Sequence, residues 1–269
     1  AFKEFSEINL AAKTHDKFIA EYLGDIIFLY NASDATKIPL RQKPLKVEKE
    51  KKPKEKRGRP KKSEIREPIK PTILAQQKDM QTTQEMLSLI SKECGVGIKQ
   101  NSKGNREVWI GGKLHISTVD GDIPITAIYS SANVHDSSVA LPLIGETSKK
   151  VNYLYDLQDA GYDADIIRDF SKQHGHCPII DINPKNSSVL REKIQLQEDE
   201  KKKFEFFGLK ESSDSHHYNQ RSMVERVNKY LKDDFGCDKI YYQGATKVAS
   251  VLAFGILCIC IHQSLKMIT

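Results

Sequence analysis

Apolar residues fall in short blocks along the chain, and the spacing inside each block predicts its element. Residues 25–33 (DIIFLYNAS) form a compact run rich in Ile, Phe and Tyr, which predicts a buried strand ending at Asp34. Residues 79–93 predict a short helix. Residues 107–110, 113–119 and 123–130 predict successive strands, the last two joined by Asp120-Gly121-Asp122, a sequence with hairpin chemistry. Asp136 is placed to cap a helix running through Leu143. Residues 153–157 predict a strand, and residues 164–174 an amphipathic helix that Gly175 terminates. A further strand over 177–182 is stopped by Asn183-Pro184. After a polar stretch over 185–215, the chain closes with a helix from about 219 to 233 and an apolar helix from about 246 to 267.

Hairpin-linked strands followed by alternating helices and strands predict an α/β fold, with a mixed sheet between helical layers. That order fits a ribonuclease H-like sheet. Residues 1–40 would form a helical segment and the first strand of the core. Residues 41–105 would be a largely disordered basic insertion with one short helix, and residues 106–269 the remainder of the core.

Charge sharpens the division. The net charge of +6 is uneven: residues 41–70 hold 14 Lys or Arg against 5 Asp or Glu, so the other residues carry −3 between them. A segment repeating Lys, Glu and Pro buries too little apolar surface to fold alone, and reads as a flexible arm for polyanions. Within it, KRGRPKK over 56–62 resembles an AT-hook, whose arginines enter a narrow minor groove. Lys56, Arg57, Arg59, Lys61 and Lys62 are the candidate DNA contacts. Five cysteines without metal spacing predict free thiols in a reducing cytoplasm. The longest apolar run, residues 248–261, is 14 residues long and predicts a buried helix, with no membrane partner.

The chemistry concentrates on the helix expected over 219–233. At about 100° per residue, Tyr218, Arg221, Glu225 and Lys232 fall within an arc of roughly 60°. Val224, Val227, Leu231 and Phe235 cluster on the opposite side, as a core face would. An ordinary salt-bridged surface could hold any two of the four polar residues.

All four together, spaced Tyr-x2-Arg-x3-Glu-x6-Lys, resemble the signature of bacterial insertion-sequence transposases with a DDE active site. SDATKI around Asp34, GKLHI from Gly112, IPITAIYSSANVHDS and DAGYDADI from Asp159 resemble the same group, in order, from about Tyr22 to Leu265. The resemblance implies a transposase that cleaves transposon ends and transfers the strands into target DNA. It implies two Mg²⁺ or Mn²⁺ ions held by Asp34, Asp159 and Glu225, since these ions favour hard oxygen ligands. Asp156 and Asp163 stand as rivals to Asp159. Tyr218, Arg221 and Lys232 are implied to contact DNA, in a synaptic homodimer acting at the nucleoid.

The pattern also departs from the group. Gly112 stands where relatives often have Tyr, the 185–215 segment is short, and no helix-turn-helix precedes Asp34. A nuclease that hydrolyses without joining strands, and a catalytically inactive remnant that only binds DNA, are the alternatives.

Overall fold

A computed structural model describes residues 2–44, 71–100, 104–184, 187–206 and 213–268. The AT-hook-like residues Lys56, Arg57, Arg59, Lys61 and Lys62 lie outside the described residues; of the insertion expected over 41–105, residues 71–100 are described and hold two short helices and a strand. Six strands form one mixed sheet: β1 (Ile27–Pro39), β2 (Gly95–Gln100), β3 (Arg106–Val119), β4 (Ile123–Ser131), β5 (Asn152–Gln158) and β6 (Cys177–Ile180). Ten helices are described: α1 (Phe2–Glu7), α2 (Leu10–Tyr22), α3 (Ile73–Gln77), α4 (Thr83–Ser88), α5 (Ser137–Ser148), α6 (Asp165–Gln173), α7 (Ser188–Phe206), α8 (Ser213–Asn219), α9 (Ser222–Asp233) and α10 (Ala245–Ile268).

β1 lies at the centre. It pairs antiparallel with β3 and parallel with β5, and β5 pairs parallel with β6. β3 pairs along its first half with β2 and along its second half with β4. The expected strand at 107–110 and the one at 113–119 are thus a single strand. β2, absent from the sequence expectation, forms because β3 offers it a complementary edge.

Helices cover both faces. On one, Val224, Val227 and Leu231 of α9 and Val248, Leu252 and Ile256 of α10 pack on Tyr30, Ala32, Ile38, Leu114 and Ile116. On the other, Ala140, Leu141 and Ile144 of α5 and Ile167 of α6 pack with Ile180 and Tyr162. α10 holds an 18-residue window with a mean hydropathy of 2.0 and is long and apolar enough to cross a membrane. Its contacts with α2, β4 and α9 make it a core helix of this fold.

Three expectations change. β1 does not end at Asp34 but runs on to Pro39, because β3 pairs with it as far as that residue. Asp136 does not cap α5 with its side chain; its carboxylate receives the Lys113 ammonium at 2.8 Å instead. The single helix expected over 219–233 is two. The amides of Gln220 and Arg221 bond back to the carbonyls of His217 and Tyr218, three residues earlier, and this tightened turn separates α8 from α9. Phe235 accordingly lies past α9 and is exposed.

Gly111 makes the change of partner in β3 possible. It pairs with Pro39 of β1 and also with Gly95 of β2, at a φ of +152°. A Cβ there would stand 2.1 Å from the Ile38 carbonyl oxygen, a backbone atom that cannot rotate away. Gly111→Ala is expected to destabilise the fold by about 1–3 kcal/mol. Equilibrium denaturant unfolding checks this, and an unchanged midpoint would contradict the role given to Gly111.

Candidate active site

Strand register brings two carboxylates to one place. Ser33 of β1 pairs with Gln158, the last residue of β5. One step further along each chain come Asp34 and Asp159. Neighbouring residues on parallel strands share a face, so both carboxylates lie at the end of β5, toward α9. The Asp159 backbone stays extended there, and its side chain accepts the Gly161 amide at 2.8 Å. Asp34 is partly buried, and its Oδ2 receives the Asn228 side-chain amide at 3.3 Å.

Burial pushes the Asp34 carboxyl up to about 6, and the nearby charge of Asp159 adds to the rise. The Ala35 amide and the cations Arg221 and Lys99 oppose it. Desolvation disfavours the charged form, and a second carboxylate disfavours it further.

α9 supplies the remaining groups. Its apolar side is anchored by Val224, Val227 and Leu231, all fully buried. Arg226 fixes its position along the sheet by holding both oxygens of Asp122, at 2.8 and 2.7 Å, on the β3–β4 turn. Arg221, at the start of α9, donates to Glu225 one turn later at 2.6 Å. The Arg221 guanidinium also stands within electrostatic range of Tyr218, Asp34 and Asp159; burial works against its charge, and these groups outweigh the burial. Half-buried Lys232 is lowered by burial and by Lys37, against the attraction of Asp238 and Asp34.

Tyr218 belongs to α8, one helix earlier than expected. Its ring lies 5.7 Å from the Arg221 guanidinium carbon. Burial and a hydrogen bond to Asp181 raise its phenol well above the usual range, so it stays neutral. His217 lies on the same helix: it bonds the Tyr30 hydroxyl at 2.6 Å and stacks on Tyr155 at 4.4 Å. That aromatic stack seats α8 on β1 and β5.

The other acidic residues serve the frame. Asp156 pairs with Asn31 on the opposite face of the sheet from Asp34. It is fully buried and accepts from Asn31 at 3.1 Å and Ser171 at 2.8 Å. Burial pushes its carboxyl up to about 6 against those bonds. Asp163 holds Arg168 and the Asn183 amide. Asp120 accepts the Leu29 and Tyr30 amides at the start of β1. His115 is buried, bonds Ser130, and is lowered by burial to about 4, so it is a neutral sheet residue.

The structure therefore gathers Asp34, Asp159, Arg221, Tyr218 and Lys232, and holds Glu225 on Arg221. Among the described residues, no group of three His, Cys, Asp or Glu side chains stands close enough to hold one metal ion.

Two neighbours were missed in the sequence. Asn228 was legible in principle, seven residues after Arg221 and three after Glu225 on the same helix. Tyr162 follows Asp159 within DAGYD; its hydroxyl is buried without a hydrogen-bond partner, within electrostatic range of Asp34, Asp136 and Asp159.

A family model described as "Transposase DDE domain" matches residues 32–261, well over half of the chain. No curated protein and no solved structure matches it.

The raised Asp34 carboxyl has a sign that can be measured. Folding favours its neutral form, so the unfolded chain releases the proton first as pH rises. Stability is lost between about pH 4 and pH 6, and the penalty is fully present at pH 7. Asp34→Asn is expected to stabilise the fold by roughly 1–3 kcal/mol at pH 7. The gain should vanish at pH 4 in paired thermal melts; an equal gain at both pH values would contradict it.

Proposed function

Because this chain belongs to the transposase DDE domain family, we propose that it is the catalytic core of a DNA transposase. In this reading it cleaves transposon ends and joins them to target DNA, using the carboxylates of Asp34, Asp159 and Glu225. The observation that carries it is the register of β1 and β5, which supports Asp34 and Asp159 as partners at one site.

The residues fit a pair of hard divalent cations, Mg²⁺ or Mn²⁺. Their donors are carboxylate oxygens. The desolvated Asp34 carboxyl gains most from a cation, because a nearby positive charge offsets the cost of its burial. Asp34 and Asp159 would hold the ions, and Glu225 would join them on leaving Arg221. When bound, such ions activate the attacking hydroxyl and stabilise the leaving oxygen of an in-line displacement.

The chain's own groups perform the rest. Asn228 orients the Asp34 carboxylate through its hydrogen bond. Arg221 offers a planar fork to a backbone phosphate, and Lys232 a point charge. Tyr218, kept neutral, can donate to a phosphate or stack on a base. Cleavage forms one P–O bond to water as the bond to the 3′-oxygen breaks. Joining forms one P–O bond from the freed 3′-hydroxyl as a target P–O bond breaks, so no external energy source is needed. The Lys56–Lys62 segment would add phosphate or minor-groove contacts whose strength falls with salt. We assign the active form to a homodimer that synapses two ends in the cytoplasm at the nucleoid.

The test is cleavage and strand transfer on DNA carrying the element's own ends, with Mg²⁺. Asp34→Asn, Asp159→Asn and Glu225→Gln are each expected to lower cleavage on the order of 1,000-fold, about 4 kcal/mol of transition-state stabilisation. DNA binding in chelator should persist. Full cleavage by an Asp159→Ala, Glu225→Ala double variant would sink the assignment; cleaved ends that never join would leave a nuclease.

A further inference from the structure

The metal ligand expected on α9 is already engaged. Glu225 receives the Arg221 guanidinium at 2.6 Å, and the side chains are 54% and 21% exposed respectively. An exposed i, i+4 pair is ordinarily a minor surface contact. This one differs in what surrounds the cation. The guanidinium carbon lies 5.7 Å from the Tyr218 ring, and Nε is buried without a hydrogen-bond partner. Asp34 and Asp159 also lie within its electrostatic range. Arg226, one turn further along α9, makes the contrast: it is spent on Asp122 of the β3–β4 turn.

We propose that Arg221 is a built-in counter-cation of the acidic site, and that it competes with divalent metal for Glu225. The proposal rests on the reading of Asp34, Asp159 and Glu225 as metal ligands, and adds a regulatory element to it. Gathered carboxylates in a partly desolvated site repel one another, so the metal-free fold needs positive charge there. Arg221 supplies it. A divalent ion brings twice the charge and takes Glu225, which releases the guanidinium fork. That fork is then free for a DNA phosphate, two of whose oxygens it can hold in bidentate fashion. Metal loading therefore turns Arg221 from an internal partner into an external one. Linkage requires the converse as well: DNA that engages Arg221 must raise the affinity for metal.

Mn²⁺ titration of the full chain, followed by calorimetry and by the electron paramagnetic resonance signal of free Mn²⁺, tests this without turnover. Arg221→Gln is expected to bind Mn²⁺ about tenfold more tightly than the parent chain. Arg226→Gln removes the same charge from the same helix and should change affinity less than about twofold. Arg221→Lys, which keeps the charge but loses the fork, should fall between Arg221→Gln and the parent. A far-ultraviolet circular dichroism spectrum matching the parent's identifies variants that fold. An Arg221→Gln protein that binds Mn²⁺ no more tightly than Arg226→Gln would overturn the competition. A different result defeats the underlying reading: Glu225→Gln and Asp159→Asn both binding Mn²⁺ as the parent does. With short duplex DNA added, the parent's Mn²⁺ affinity should rise and that of Arg221→Gln should not; equal rises in both would also overturn the proposal.

Discussion

Two carboxylates set side by side at the end of a parallel strand pair repel each other, and much of this structure answers that repulsion. The β1–β5 register fixes the neighbours Ser33 and Gln158, so Asp34 and Asp159 have no freedom to separate along the strands. Partial burial deepens the conflict at Asp34, whose carboxyl is pushed up to about 6. A fold selected only for stability would place an amide or a hydroxyl there. A carboxyl kept there makes Asp34 a candidate site residue, on the general ground that perturbed groups cluster where chemistry is done.

The frame around the pair is built from other acidic residues with ordinary work. Asp156 ties Asn31 to Ser171 on the far side of the sheet, and Ser117 donates to Asn31 in turn. A buried polar network of that kind resists a shift of β1 against β5, because a slip would leave several buried groups unpaired at once. Asp122 and Arg226 pin α9 to the β3–β4 turn, and Asp120 pins the first residues of β1. Charge is thus used twice here: closed pairs hold the elements, and the unclosed pair at Asp34 and Asp159 is what they hold in place.

Most of the layering was legible in the sequence, because burial leaves a period. Val224, Val227 and Leu231 marked the inner face of α9, and the apolar blocks marked β1, β4, β5 and α10. Less was legible where pairing overrides composition. Residues after Asp34 look like a turn, yet alternation of Ala32, Asp34, Thr36 and Ile38 continues the strand because β3 pairs with it. β2 depends on an edge of β3 that no local pattern announces. The break after Asn219 arises from three-residue hydrogen bonds, and neither Gly nor Pro marks it. A helical wheel drawn through Tyr218 therefore reached the right neighbourhood for a partly wrong reason. Tyr218 meets Arg221 across a turn, and it is α8, seated by His217 on Tyr30 and Tyr155, that brings it there. The candidate carboxylates were legible through motif order. The pairing of Glu225 with Arg221 was visible as spacing, but its importance depends on Asp34 and Asp159 standing beyond it, which only the sheet register supplies.

The same helix face carries both an acid and a base, Glu225 and Arg221, in contact with each other. Without a nearby cation, the metal-free chain would leave the desolvated Asp34 carboxylate facing Asp159 with less to offset the repulsion. If Arg221 were only a phosphate contact, nothing would require it one turn from Glu225. Four-residue spacing satisfies both demands with one side-chain pair, since the same contact that neutralises the empty site withholds the fork from phosphate. An arrangement of this kind favours ordered assembly. In the proposed reading, the groups that would bind DNA become available as those that would bind metal are filled, and the coupling lies in the exchange of a single partner on α9.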